Sequence, residues 1–240
     1  MKLFAKLSLI TSAVIVFAWQ SCGVSSNNAP NLTVKPTVIT DEKTYLSEIQ
    51  KDSSKQMVSL TKYLQPLFKD FKYETEQNFT KKVLYTRPEA FLRKPAAEAL
   101  QAVQNELKQQ NLALKIFDAY RPYSVTVEMW KAVPDERYAA NPAKGSGHNR
   151  GVAVDVTLVN LATGKEIPMP NAFDDFSEKA HHNYMQLDAA IIANRLLLKK
   201  TMEKHGFVAL ETEWWHYYLS NPTRFALLDL SFDQLRNLEQ

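Results

Sequence analysis

One cysteine, Cys22, is all the thiol chemistry available in 240 residues, which excludes an internal disulfide framework and any thiolate-rich metal cluster. Neither sign of charge prevails. The 29 Lys and Arg are interspersed with 26 Asp and Glu, without a basic stripe or an acidic run, so nucleic acid is not an expected partner. Histidine is scarce at five residues, and each His that falls in a motif therefore carries weight. No Gly-x-Ser-x-Gly elbow exists and Cys22 belongs to the N-terminal segment, so serine and cysteine nucleophile schemes find no support. Internal repeats and low-complexity tracts are also missing. What remains is a chain that is 45% hydrophobic, enough apolar material for one well-packed domain with no need of a second.

The N-terminal apolar run, residues 7–19, follows Lys2 and Lys6 and is too short for a comfortable membrane span. It reads as an export signal covering residues 1–22. Cys22 follows Trp-Gln-Ser, where a lipoprotein signal would be cut and the cysteine would become the lipidated first residue, anchoring the protein to a membrane. Trp19 departs from the usual Leu of that motif, and plain secretion is the alternative. Either way the protein is expected outside the cytoplasm, periplasmic or on the outer surface of the envelope. Residues 23–41 are polar, contain Pro30 and Pro36, and read as a flexible tether, leaving residues 42–240 as the folded domain.

Helical spacing runs through Phe91, Leu92, Ala96, Leu100, Val103 and Leu107, and again through Leu187, Ile191, Leu198 and Met202 up to the terminator Gly206. Shorter helices are expected after Pro122 and after Pro222. Residues 112–117, 152–156 and parts of 207–219 are rich in branched or aromatic side chains and read as strands. Helices mixed with short strands, without strict alternation, predict a single α+β domain with a central antiparallel sheet and flanking helices.

Residues 145–157, GSGHNRGVAVDVT, bring an imidazole and a carboxylate into one glycine-containing segment. Two ligands of one zinc ion each lie about 2 Å from it, whereas residues seven apart on a straight strand are separated by about 23 Å. His148 and Asp155 can share an ion only if the backbone turns between them, and Gly147 and Gly151 supply the freedom to do so. In the strand that follows, Val152, Val154 and Val156 share one face while Ala153, Asp155 and Thr157 take the other, so small Ala153 leaves space beside Asp155. The segment also admits a plainer reading, a surface His and a buried hydrogen-bonded Asp. A second piece, Glu213-Trp214-Trp215-His216, lies in an aromatic run that could simply pack in a core. On an ideal strand Glu213 and His216 face opposite ways; to serve one site the strand must begin after Glu213 or carry a bulge.

Joined, the two pieces supply His148, Asp155 and His216 as three ligands for one zinc ion with the fourth position open, the ligand count of catalytic rather than structural zinc. The same fold, as a module that binds zinc without catalysis, is the alternative. Zinc lowers the pKa of bound water to roughly 7, which gives a nearby carboxylate, Glu213, a proton to accept; hydrogen bonding to a ligand His is the other use of that Glu. A third piece, IFDAYRP at residues 116–122, ends a strand in an exposed Arg121 fixed by Pro122. It serves either to hold an oxyanion in a fork of donors or to make a surface salt bridge.

With these residues in view, the chain resembles the D-alanyl-D-alanine dipeptidases, zinc enzymes known from vancomycin resistance and dipeptide utilisation. The resemblance rests on YETEQNFT at residues 73–80, DAYRP at 118–122, SGHNRGVAVDVTL at 146–158, FDDF around Asp174 and EWWHY at 213–217. The Ser-x-His-x-x-Gly-x-Ala-x-Asp and Glu-x-x-His patterns are shared with D,D-carboxypeptidases, whereas DAYRP and NFT point to the dipeptidase branch. The resemblance implies His148, Asp155 and His216 as zinc ligands, Glu213 as general base, Arg121 on the tetrahedral oxyanion, Asp174 rather than Asp175 on the substrate ammonium, and Ser146 near the substrate. Gly147 stands where some members carry a second hydroxyl residue. The expected activity is hydrolysis of D-Ala-D-Ala in wall turnover or scavenging, with a D,D- or L,D-carboxypeptidase acting on muropeptides as the alternative. His181 and His182 are expected to open a helix in a structural capacity, and His205 to close one.

Overall fold

The computed structural model describes residues 36–239; the export signal, Cys22 and most of the tether lie outside them. Within these residues the elements run β1 (Val38–Ile39), α1 (Glu42–Lys51), β2 (Met57–Ser59), β3 (Phe68–Lys69), β4 (Phe91–Arg93), α2 (Lys94–Lys108), β5 (Leu112–Asp118), α3 (Tyr123–Ala132), β6 (Ala153–Asn160), α4 (Ala189–Lys204), β7 (Phe207–Ala209), β8 (His216–Leu219), β9 (Leu227–Leu228) and α5 (Phe232–Leu238). Among the described residues, β1 and the Asp41 cap of α1 fall within the span read as tether. β1 pairs in parallel with β9, and Asp41 caps α1 by accepting from the Thr44 N–H at 2.8 Å.

Ala96, Leu100, Val103 and Leu107 form the buried stripe of α2, as their spacing predicts. Phe91 and Leu92 do not belong to that helix. They form β4, antiparallel to β2. Pro95 in the first turn has no N–H to give to a preceding turn, so α2 starts beside it and cannot extend upstream. α4 likewise begins after Leu187, and His181 and His182 precede it in irregular backbone instead of opening a helix. Pro222 starts only a single 3-10 turn; a full helix follows later, at α5.

The central sheet has the order β3-β5-β6-β8-β7. Three of its pairings are antiparallel, but β3 runs parallel to β5, so the sheet is mixed and the expectation of a purely antiparallel one is corrected. The chain reaches β5 from β3 through α2, and such a crossover returns it in its original direction. β6 lies at the middle. Val154, Val156 and Leu158 enter a core with Leu100, Val103, Leu198 and Met202 of α2 and α4, each large apolar side chain there contributing about 1.5–3 kcal/mol by burial. The alternate residues, Ala153, Asp155 and Thr157, face the other way and are buried too. A second cluster joins Tyr45, Met129 and Phe232 from α1, α3 and α5 to Tyr73, Tyr85 and Tyr120.

Candidate active site

Backbone chemistry in residues 145–153 makes the turn that the spacing of His148 and Asp155 requires. Gly147 accepts from the N–H groups of Arg150, Val152 and Ala153, and Gly151, at φ +70°, donates to His148. A Cβ on Gly147 would come within 2.8 Å of the Ala153 Cβ. The space left by Ala153 is therefore taken up by the loop that carries His148. Across the sheet Asp155 pairs directly with His216 of β8, which puts both side chains on one face.

Three donor groups meet at that point. His148 Nε2 lies 3.2 Å from His216 Nδ1 and 3.4 Å from Asp155 Oδ2, and His216 Nδ1 lies 2.9 Å from Asp155 Oδ1. Ligands placed about 2.0–2.1 Å from a tetrahedral zinc ion are separated by roughly 3.4 Å, so the set has the size of one coordination face. His148 Nδ1–H donates to the Ala119 carbonyl at 2.7 Å, fixing the ring and turning Nε2 toward the other two donors. Charge leads to the same conclusion. Burial disfavours a proton on His148, but the Asp155 carboxylate outweighs it and pushes the imidazole pKa up. Burial likewise opposes ionisation of Asp155, and the two imidazoles outweigh it and hold that carboxyl well below its usual range. The three side chains are stable together only with positive charge among them, from protons or from a metal ion.

β8 starts at His216, after Glu213. His216 N–H donates to the Glu213 carbonyl at 3.2 Å, closing a turn that brings both residues to the same cavity. Burial pushes the Glu213 carboxyl up to about 7, opposed by His216 and assisted by Asp155. The two tryptophans between them are both buried, and the Trp214 Nε1–H donates to Asn171 Oδ1 at 2.8 Å. The cavity, of about 420 Å³, is lined by Arg121, Ser146, Asp174 and Glu213 as well as the three donors. Ser146 Oγ accepts from the His148 N–H at 3.1 Å.

Arg121 corrects the sequence reading. It is 6% exposed rather than on the surface, and its Nε and Nη2 donate to Asp118 Oδ2 at 3.0 and 2.7 Å. Asp174 lies on the cavity wall with φ +61°, and Asp175 is exposed. Asp174 Oδ1 accepts from the Tyr73 hydroxyl at 3.2 Å, while Oδ2 is buried without a partner among the described residues. Burial first and Asp155 second push its carboxyl up to about 8. Tyr73, a cavity residue whose ring also lies 5.2 Å from the Arg121 guanidinium carbon, escaped the sequence reading, as did Asp118. Both stood inside the quoted motifs, YETEQNFT and DAYRP, which was the available signal. His205 closes α4 as expected and pairs with Glu106 at 2.8 Å.

Residues 53–232 match the D-Ala-D-Ala dipeptidase family model, peptidase M15. A D-alanyl-D-alanine dipeptidase of Escherichia coli K12 is 34% identical over 173 residues, covering 72% of this chain and 89% of that protein. One from Enterococcus faecalis is 34% identical over 170 residues, 62% of this chain and 84% of that protein. A solved vancomycin-resistance D,D-pentapeptidase in complex with Zn(II) aligns at a TM-score of 0.37 and 14% identity, covering 58% of this chain and 78% of that one. The chain belongs to the D-Ala-D-Ala dipeptidase family, and it is a metallopeptidase with dipeptidase character.

Proposed function

We propose that this protein hydrolyses D-Ala-D-Ala to free D-alanine with one zinc ion held by His148, Asp155 and His216. The observation that carries the proposal is the convergence of their donor atoms at 2.9–3.4 Å, within a cavity that also holds Glu213, Arg121 and Asp174. Zinc, when bound, supplies a water whose pKa is lowered to roughly 7 and polarises a carbonyl oxygen. Glu213, a carboxyl poised at about 7, accepts the proton of the attacking water and delivers it to the departing amine. Arg121 stays cationic although buried, because Asp118 offsets the desolvation, and it stabilises the oxyanion that develops on the scissile carbonyl. The unpartnered Asp174 Oδ2, with the Tyr73 hydroxyl beside its other oxygen, receives the substrate ammonium. A buried carboxylate in that place restricts the enzyme to free amino termini, because an acylated nitrogen leaves it unpaired. Ser146 borders the bound dipeptide.

The sequence further supports export, with a lipid on Cys22 holding the enzyme at the envelope, where D-Ala-D-Ala arises from wall turnover or is scavenged. Glu213→Ala is expected to lower turnover by at least about a hundredfold while zinc content persists. Steady-state hydrolysis of D-Ala-D-Ala together with metal analysis checks this, and normal turnover in the variant removes the assignment. Cleavage of N-acetyl-D-Ala-D-Ala as fast as of the free dipeptide would favour a muropeptide carboxypeptidase instead.

A further inference from the structure

Asp118 is 1% exposed, enters the mechanism above only as the counter-charge of Arg121, and yet touches both halves of the site. It ends β5 at a register shift, directly opposite Asp155 on β6, so two carboxylates lie side by side on one buried face. Like charges in that relation destabilise a sheet unless each has its own counter-charge. Asp155 has the two imidazoles. Asp118 has Arg121, whose Nε and Nη2 both meet Oδ2, leaving Nη1 with no protein acceptor among the described residues in a side chain that lines the cavity. The other oxygen, Oδ1, accepts from the Tyr85 hydroxyl at 2.8 Å and from the Ala119 N–H at 2.9 Å. Ala119 is the residue whose carbonyl receives the Nδ1–H of His148 at 2.7 Å. Arg121 N–H and the Asn149 side-chain amide tie the same segment to the His148 loop, bonding to the His148 and Arg121 carbonyls.

We infer that Asp118 is a positioning residue that sets two catalytic features at once: the orientation of the Arg121 guanidinium toward the scissile carbonyl, and, through residue 119, the ring of His148 toward the metal. The inference rests on the dipeptidase reading. A carboxylate with all four bonds made is a stiff mount, and an arginine fork held on one side by a fixed acceptor presents its free N–H groups without having to be ordered during the reaction. Fixing a metal-ligating histidine through its second nitrogen affects metal affinity by about 10–100-fold when lost.

Asp118→Asn keeps the size of the side chain but turns an amide NH2 toward groups that can only donate, on Arg121 or on the Ala119 N–H. At saturating zinc the variant is expected to lose about a hundredfold in kcat on D-Ala-D-Ala with KM changed less than about threefold, the size of effect seen when one oxyanion donor is misplaced. Asp118→Asn with Arg121→Met should be no slower than Arg121→Met alone, because the two act as a unit. Independently of turnover, competition with a chromophoric chelator should show zinc held about tenfold more weakly by Asp118→Asn. If Asp118→Asn does not fold, as judged by circular dichroism, Tyr85→Phe removes one of the four bonds and should move both readouts in the same direction by less. A change in only one readout, or multiplicative loss in the double variant, overturns the joint role. If the wild type fails to cleave the dipeptide, the dipeptidase reading falls separately, and the chelator competition still decides whether Asp118 secures His148.

Discussion

Asp174 is held in three unfavourable circumstances at once: φ +61°, a buried carboxylate oxygen without a partner, and a carboxyl pushed up to about 8. A non-glycine residue in the left-handed region costs of order 1 kcal/mol and persists where surrounding structure enforces it. A cationic ligand would relieve the last two of these, which is the ground on which the proposed mechanism puts the substrate ammonium there. The sign of the pH effect follows from the raised value. Protonated Asp174 is favoured in the folded state, so the stability it contributes is present below its ordinary pKa of 3.8 and is lost as pH rises through about 8. Asp174→Asn is therefore expected to show a smaller fall in Tm between pH 5 and pH 9 than the wild type, both measured without metal, and to raise KM for D-Ala-D-Ala. An equal or larger fall would mean that Asp174 is not buried as a strained carboxyl.

Two short pieces of irregular backbone, the 145–151 loop and the 213–216 turn, deliver the site to the sheet. Gly151 is the strictest position in the first. Its φ is +70°, and a Cβ would lie 2.6 Å from Met57 Sδ. Gly151→Ala is expected to cost about 1–2 kcal/mol from the left-handed backbone alone, with any shift of Met57 adding to it; a midpoint in urea equal to that of the wild type would contradict this. These pieces were largely legible, because a donor pair seven apart across glycines can converge only by turning, and Glu213 and His216 can face one site only if the strand starts after Glu213 or carries a bulge, of which the structure has the first. Elements set by distant contacts were not. Tyr73 meets Asp174 across 101 residues, and neither position carries a local signal of the other. Arg121 looked exposed because it follows a strand end, but the register shift before Asp118 and the ion pair it supports bury it. The parallel pairing of β3 was equally hidden, since a two-residue strand has no readable period.

Across the whole molecule the balance of charge is close to neutral, yet the cavity gathers Asp155, Asp174 and Glu213 against Arg121 and two histidines. Such a concentration of carboxylates suits a ligand set that includes a divalent cation and an ammonium group. On the scale of the cell, the export reading predicts that Cys22→Ser releases the protein from the membrane fraction into the soluble exported fraction on centrifugation. Continued membrane association of the variant would exclude the lipid on that residue. The central claim is more directly accessible by equilibrium dialysis against zinc followed by elemental analysis of the purified protein. One zinc per chain is predicted for the wild type and for Glu213→Ala, and close to none for His148→Ala or His216→Ala. A wild type that retains no zinc, or a His216→Ala variant that retains a full equivalent, would contradict the account.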